Sequence, residues 1–104
     1  MASTRSTERL VLTMPPDPHL SRLARLAVLH FLRHNGAGAG VARSGARAVQ
    51  QRCEAWMRSV AARRGRGSMS LILTSGPRRV EVTGVIGPGR VRRSLFRFQR
   101  PQHP

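Results

Sequence analysis

The sequence has little of the residue types on which several classes of protein depend. A single cysteine, Cys53, excludes an intramolecular disulfide and is typical of a reducing compartment, so we expect a cytoplasmic protein. Asp17 is the only aspartate, which leaves no basis for a Ser-His-Asp triad. The four histidines have no metal-site spacing with Cys53, so we expect no metal centre.

No apolar run approaches the ~20 residues of a membrane helix. The N-terminus also lacks the apolar segment of a secretory signal. The polar faces of the predicted helices lack an aromatic-basic pattern suited to lipid, so we expect no contact with a membrane.

Acidic residues are scarce and lysine is absent. All 19 basic residues are arginine, against 4 acidic residues, which gives a net charge of +15. The arginine fork matches phosphate geometry, so the excess is one sign of a nucleic-acid-binding protein. The absence of lysine beside many Ala, Gly, Pro and Val residues is more simply explained by codon usage in a GC-rich genome, but codon usage does not explain the shortage of acids. The net charge is +5 over residues 1–50 and +10 over residues 51–104, which fits a basic surface that faces an acidic partner.

The length of the chain limits it to one domain. A chain of 104 residues can bury a modest core without disulfides or metals. We expect a disordered N-terminus over residues 1–8, a single domain over residues 9–98 and a tail over residues 99–104.

The first half of the domain predicts a strand and a helix. A strand is expected over residues 9–14 and ends at Pro15-Pro16, which cannot continue a β-ladder. Asp17-Pro18 is typical of an N-cap and a first helical position, and Asn35-Gly36 is typical of a helix end, so we expect a helix over residues 18–34. Helical spacing predicts a core-facing side made of Leu20, Leu23, Ala24, Ala27, Val28 and Phe31.

The second half predicts a helix followed by a hairpin. After a glycine-rich linker over residues 36–40, we expect a helix over residues 41–64. The runs 68–74 and 79–83, joined by Ser75-Gly76-Pro77-Arg78, are typical of two hairpin strands. In the helix, an apolar stripe for the core is made of Val49, Cys53, Trp56 and Val60, and residues placed for solvent are Arg43, Arg47, Arg58 and Arg63.

A further strand is expected over residues 90–98. Its alternation places Phe96 and Phe98 on one face and Leu95 and Arg97 on the other. The element order β-α-α-β-β-β therefore predicts an α+β fold, a two-layer sandwich in which two helices pack on one face of a mixed or antiparallel sheet.

Three segments together are similar to a known family. They are Leu10-Val-Leu-Thr-Met-Pro-Pro-Asp-Pro18, the second helix with Glu54-Ala55, and Val80-Glu-Val-Thr-Gly-Val-Ile-Gly-Pro-Gly89. In this order, over about residues 9–89, they resemble the small histidine-kinase-like (GHKL) ATPase domains, with the anti-sigma-factor serine kinases of bacteria as the nearest relatives.

The resemblance implies candidate site residues. Glu54 matches the family's catalytic glutamate, which acts as base or polariser of the attacking hydroxyl. The family's Mg²⁺-holding Asn, four residues later, is replaced here by Arg58, which leaves Arg58, Gly87 and Gly89 as the candidate nucleotide-binding residues. The adenine-reading Asp of the Asp-x-Gly-x-Gly motif falls on Val85. The resemblance therefore implies a decayed or truncated member with weak or no ATP turnover, with ATP and Mg²⁺ as its cofactors only if the altered site still binds them.

Each of these residues also has a simpler interpretation. Glu54 is typical of a surface carboxylate that balances nearby arginines, and Gly87-Pro88-Gly89 is typical of a plain turn. Phe96 and Phe98 could stack on bases beside Arg90-Val-Arg-Arg93, but core packing explains them more simply.

The resemblance therefore implies a regulatory protein with a histidine-kinase-like ATPase fold that binds another protein, with weak or no ATP hydrolysis. The resemblance implies a sigma factor or its antagonist as the partner. The alternative is a small nucleic-acid-binding protein that uses the arginine-rich C-terminal half. A third reading, a fragment or a mistranslated reading frame of a GC-rich genome, is opposed by the regular apolar stripe and the capped first helix.

Overall fold

Two helices pack on one face of an antiparallel sheet. The computed structural model describes residues 8–62, 68–86 and 91–99. Its elements are β1 Glu8–Met14, a 3₁₀ turn Pro18–Leu20, α1 Ser21–His34, α2 Ala39–Ala62, β2 Met69–Ser75, β3 Arg79–Ile86 and β4 Val91–Gln99. The four strands among these residues form one sheet in the order β1-β2-β3-β4, and every neighbouring pair is antiparallel. The predicted two-layer α+β fold with the order β-α-α-β-β-β is confirmed, and its sheet is antiparallel rather than mixed.

The two ends of the first helical segment follow the sequence signals. The Asp17 carboxylate accepts the backbone N–H of His19 at 3.0 Å and caps the short 3₁₀ turn that leads into α1. At the other end Gly36 has a φ of 93°, which favours glycine. The N–H of Ala37 bonds to the Leu32 carbonyl at 2.9 Å, and the N–H of Gly36 bonds to the Arg33 carbonyl at 3.2 Å. These two bonds form a Schellman motif, as the sequence indicates.

The buried side of α1 differs from the prediction at its edge. The buried residues of this helix are Ser21, Ala24, Val28, Phe31 and Leu32. The expectation that Leu23 belongs to the core is wrong, because its side chain is 54% exposed. Ala27 is only half-buried. Both residues lie on the flank of α1 beside β1, and because β1 is the last strand of the sheet, no further strand of the described chain supports that flank.

Helix α2 begins earlier than predicted and approaches the sheet through small residues. The N–H of Ala42 bonds to the Gly38 carbonyl at 2.9 Å, so the helix starts at Ala39 rather than at residue 41. Its buried side consists of Ala42, Gly45, Ala46, Val49, Cys53 and Met57. Trp56 is half-buried and packs against the edge of the core. The side chain of Val60 lies outside the described residues, as does Arg63.

Strand β4 contains a bulge that the sequence pattern does not reveal. Val82 pairs with Phe96 but Thr83 pairs with Ser94, which leaves Leu95 as the extra residue. Leu95 is 3% exposed, so the expectation that it faces away from Phe96 is wrong. The bulge turns both side chains toward the helices, and Arg52 of α2 donates a hydrogen bond to the Leu95 carbonyl.

Neither helix of the described chain combines the length and the hydropathy that a membrane crossing needs.

Candidate functional site

The candidate catalytic residue Glu54 is held in an ion pair. Glu54 and Arg58 lie one turn apart on α2, and Nη2 of Arg58 is 3.4 Å from Oε1 of Glu54. The Arg58 side chain is 71% exposed and the Glu54 side chain 30% exposed, so this is a surface pair of modest strength. Arginine offers no lone pair to a metal, and its guanidinium places a positive charge at the position where the resemblance implies a Mg²⁺ ligand. This geometry fits the simpler interpretation of Glu54 as a surface carboxylate.

The structure does not bring Val85 and Glu54 to one site. Gly84 faces the helices, because a Cβ built on it would lie 2.6 Å from Cζ3 of Trp56. Val85 follows it in β3 and is therefore directed to the opposite face of the sheet. An acidic side chain at this position would point away from the helix that carries Glu54. The candidate nucleotide-binding residues Gly87 and Gly89 lie outside the described residues.

Metal-ligating side chains are not clustered in the described part of the chain. No group of three or more His, Cys, Asp or Glu side chains is found there. His30 and His34 stack with ring centroids 6.5 Å apart on α1. Burial raises the pKa of the Cys53 thiol to about 12. The thiol therefore stays protonated at neutral pH and packs as a core residue.

The first surface feature is a groove between β1 and α1, which we call the β1–α1 groove. It has a volume of about 420 Å³. Its lining residues are Glu8, Arg9, Leu10, Ala27, His30, Phe31 and His34. Leu23 and Leu26 lie one helical turn before Ala27 and His30, so they extend the same side of α1. Leu10 is 46% exposed and Leu26 is 49% exposed, which makes this edge of the molecule apolar and open.

The second surface feature is a groove between α1 and α2, which we call the interhelical groove. It has a volume of about 510 Å³. Its lining residues are Arg25, Leu29, Gly40, Arg43, Ser44, Ala46 and Arg47. Three arginines and one serine therefore line this groove together with the aliphatic residues Leu29 and Ala46.

The third surface is the face of the sheet that is turned away from the helices. Across three strands the register pairs Val11 with Ile72 and Ile72 with Thr83. In the same way it pairs Thr13 with Ser70 and Ser70 with Val85. Phe96 and Phe98 pair with the buried residues Val82 and Val80, so they face the helices instead. No aromatic side chain of the described chain therefore lies on this outer face, and the interpretation of Phe96 and Phe98 as core residues is confirmed.

Two of the C-terminal arginines are engaged within the molecule. Nη2 of Arg97 is 3.2 Å from Oε2 of Glu81, and Ser94 donates to the same carboxylate oxygen at 3.3 Å. The guanidinium of Arg93 stacks over the Trp56 ring at 5.2 Å from its centroid. Arg92 remains exposed on β4.

Sequence reasoning missed both grooves. The β1–α1 groove is open because β1 is an edge strand, and the pattern of neighbouring residues in the sequence does not reveal the order of the strands in the sheet. The sequence pattern places Arg43 and Arg47 toward solvent, and only the packing of the helices shows that they share one groove with Arg25.

No family model matches the chain, and no curated protein matches it.

Proposed function

We propose that the chain is a regulatory protein with a fold of the histidine-kinase-like ATPase type, and that it acts by binding another protein. A sigma factor or an antagonist of one is the partner that the resemblance favours. The observation that carries the proposal is the β1–α1 groove with the adjoining side of α1. Leu10 of the groove and Leu23 and Leu26 beside it are each about half exposed.

The composition of this surface favours a protein partner. Apolar side chains grouped on an open surface are typical of protein–protein contacts, because a partner that covers them removes apolar surface from water, which is favourable. The groove lies beside β1, which pairs only with β2 among the described strands. An edge strand can accept an extended segment of a partner through main-chain hydrogen bonds, and the adjacent groove can then take an apolar side chain of that segment.

The ion pair between Glu54 and Arg58 supports a role without catalysis. A general base must reach the proton that it abstracts, and here the carboxylate is occupied by a guanidinium at 3.4 Å. Val85 adds no carboxylate and lies on the far side of the sheet. ATP turnover is therefore not part of the proposed function.

Calorimetric titration tests the proposal. The purified chain is titrated with each sigma factor and each sigma-factor antagonist encoded in the same genome. We expect one saturable partner with a micromolar or tighter Kd. The double variant Leu23→Ser/Leu26→Ser should bind that partner at least about tenfold more weakly, which corresponds to a loss of about 1.4 kcal/mol.

A matched control is available on α2. Val41 is 43% exposed and does not line the β1–α1 groove, so Val41→Ser removes a similar apolar side chain from elsewhere on the surface. Its affinity should equal that of the unaltered protein. Absence of any partner in the set, or equal weakening by Val41→Ser, would contradict the proposal.

A small arginine-rich nucleic-acid-binding protein is the second candidate. The exposed Arg92 on β4, together with Arg78 and Arg79 at the end of the hairpin, supports it. The inward direction of Phe96 and Phe98 counts against it, because these rings are not placed to stack on bases.

A further inference from the structure

We infer that the interhelical groove binds an oligophosphate, that is, a small ligand with two or more linked phosphate groups. This site is separate from the β1–α1 groove and does not depend on the proposed function. Arg25 from α1 and Arg43 and Arg47 from α2 line it, together with the hydroxyl-bearing Ser44.

The helices place three arginine side chains around one groove. Arg43 and Arg47 are four residues apart, so their side chains project from the same side of α2 at a spacing of about 5–6 Å between Cβ atoms. Arg25 lines the same groove from α1 and is half-buried. Each guanidinium presents a planar fork of N–H donors, which matches the oxygens of a phosphate group.

No acidic side chain neutralises these arginines. The sequence has only four acidic residues, and the structure places all four elsewhere. Their contacts are Glu8 with the Asn35 amide at 3.4 Å, Asp17 with the His19 N–H, Glu54 with Arg58, and Glu81 with Arg97 and Ser94.

The nearest acid along α2 is also too far to compensate. Glu54 follows Arg47 by seven residues, which is about 10 Å along a helix axis. Three like charges around one groove repel one another, and a bound polyanion removes that repulsion.

The shape of the groove favours a small ligand with several charges. A volume of about 510 Å³ lies within the range of small-molecule sites. Leu29 and Ala46 form an apolar wall that limits access of water to one side of the ligand. Three separate guanidinium groups match the spread charge of a di- or triphosphate better than the compact charge of a single anion.

The experiment uses inorganic tripolyphosphate, pyrophosphate and orthophosphate as probes, titrated into the full chain without Mg²⁺. We expect one tripolyphosphate per chain, with affinity that falls from tripolyphosphate to pyrophosphate to orthophosphate. The variant Arg43→Gln/Arg47→Gln should weaken tripolyphosphate binding at least about tenfold. Arg43→Lys/Arg47→Lys keeps the charge but loses the planar fork of donors. Its affinity for tripolyphosphate should therefore lie between that of the unaltered protein and that of the glutamine variant.

The matched control is Arg22→Gln/Arg33→Gln, which removes two exposed arginines from α1 that do not line the groove. It should leave tripolyphosphate affinity unchanged. Because Arg43 and Arg47 are exposed, their replacement should also leave the fold intact, and Arg25→Gln offers a second variant if it does not. Equal loss in the Arg22→Gln/Arg33→Gln control, or equal affinity for tripolyphosphate and orthophosphate, would overturn the site, since either result would reflect net charge alone.

Discussion

The indole of Trp56 lies directly on the backbone of Gly84. A Cβ built on Gly84 would lie 2.6 Å from Cζ3 of Trp56 and 3.1 Å from Cδ1 of Leu95. The guanidinium of Arg93 stacks over the same indole. This contact joins the C-terminal part of α2 to β3 and β4. The helix can lie this close to the sheet only because Gly84 has no side chain.

Replacing Gly84 with alanine should therefore destabilise the fold. The added methyl group overpacks the contact with Trp56, at a cost of about 1–3 kcal/mol in the free energy of unfolding. Urea denaturation followed by circular dichroism measures this change. The control is Gly40→Ala in the first turn of α2, where no atom lies within 4 Å of the built Cβ. That variant should gain about 0.4–1 kcal/mol, because alanine has less freedom than glycine in the unfolded chain. Equal effects at the two positions would contradict the packing.

A double-mutant cycle tests the same contact more specifically. Trp56→Ala alone should cost less than the ~3–5 kcal/mol of a fully buried tryptophan, because the ring is only half-buried. In the Trp56→Ala background, Gly84→Ala should be close to neutral, which gives a coupling energy of about 1 kcal/mol or more. Additive costs would show that the two residues do not contact each other.

Cys53 should control the alkaline limit of stability. Its pKa is about 12 in the folded chain against 9.0 without burial. Below pH 9 both states keep the proton and stability does not depend on this group. Above pH 9 the unfolded chain loses the proton while the folded chain retains it, so stability falls by up to about 1.4 kcal/mol per pH unit until pH 12.

This pH effect can be assigned to one residue. The sequence has no lysine and no tyrosine, so no other side chain has its ordinary pKa between pH 9 and pH 12. Urea midpoints measured at pH 8, 9, 10 and 11 should fall in the unaltered protein and stay level in Cys53→Ala. A fall of equal size in Cys53→Ala would show that the thiol is not responsible.

ATP should not bind in a Mg²⁺-dependent manner. Arg58 replaces the metal ligand that the resemblance requires, and Val85 supplies no acceptor for the adenine amino group. Any ATP affinity should be salt-sensitive and should not increase with Mg²⁺, as expected for phosphate contacts with arginine alone. Calorimetry with and without Mg²⁺ measures the ATP affinity, and an assay of ADP release measures ATP hydrolysis. Micromolar, Mg²⁺-dependent affinity would restore a kinase interpretation.

The features that the sequence predicts well are set by neighbouring residues. The helix end at Asn35-Gly36 depends on one glycine at positive φ. The turn between β2 and β3 contains the Gly76-Pro77 pair that marks it in the sequence, and the N–H of Gly76 bonds to the Arg79 carbonyl at 2.9 Å. The amphipathic pattern of α2 placed Val49 and Cys53 in the core, where both are fully buried. These signals act within a few residues, so they can be seen without the tertiary structure.

The features that the sequence did not predict depend on contacts between distant elements. The sequence predicts only that Asn35 ends a helix. In the structure its side chain also accepts a hydrogen bond from the Ser75 hydroxyl at 2.7 Å, which connects the end of α1 to β2. Leu95 turns inward because of a bulge in the pairing of β4 with β3. Leu23 is exposed because the sheet ends at β1. The two grooves also depend on contacts between distant elements, because each is lined by residues of two elements that pack side by side.

The central claim is that the chain binds a protein rather than a nucleic acid, and one comparative titration tests it most directly. The purified protein is titrated with duplex DNA, single-stranded RNA and heparin at two salt concentrations. We predict similar, steeply salt-dependent affinities for all three, as for any protein with a net charge of +15, with a log–log slope on duplex DNA of about −0.9 per phosphate contact. A clear preference for one nucleic acid over heparin, abolished by neutralising Arg92, Arg93 and Arg97, would contradict the claim.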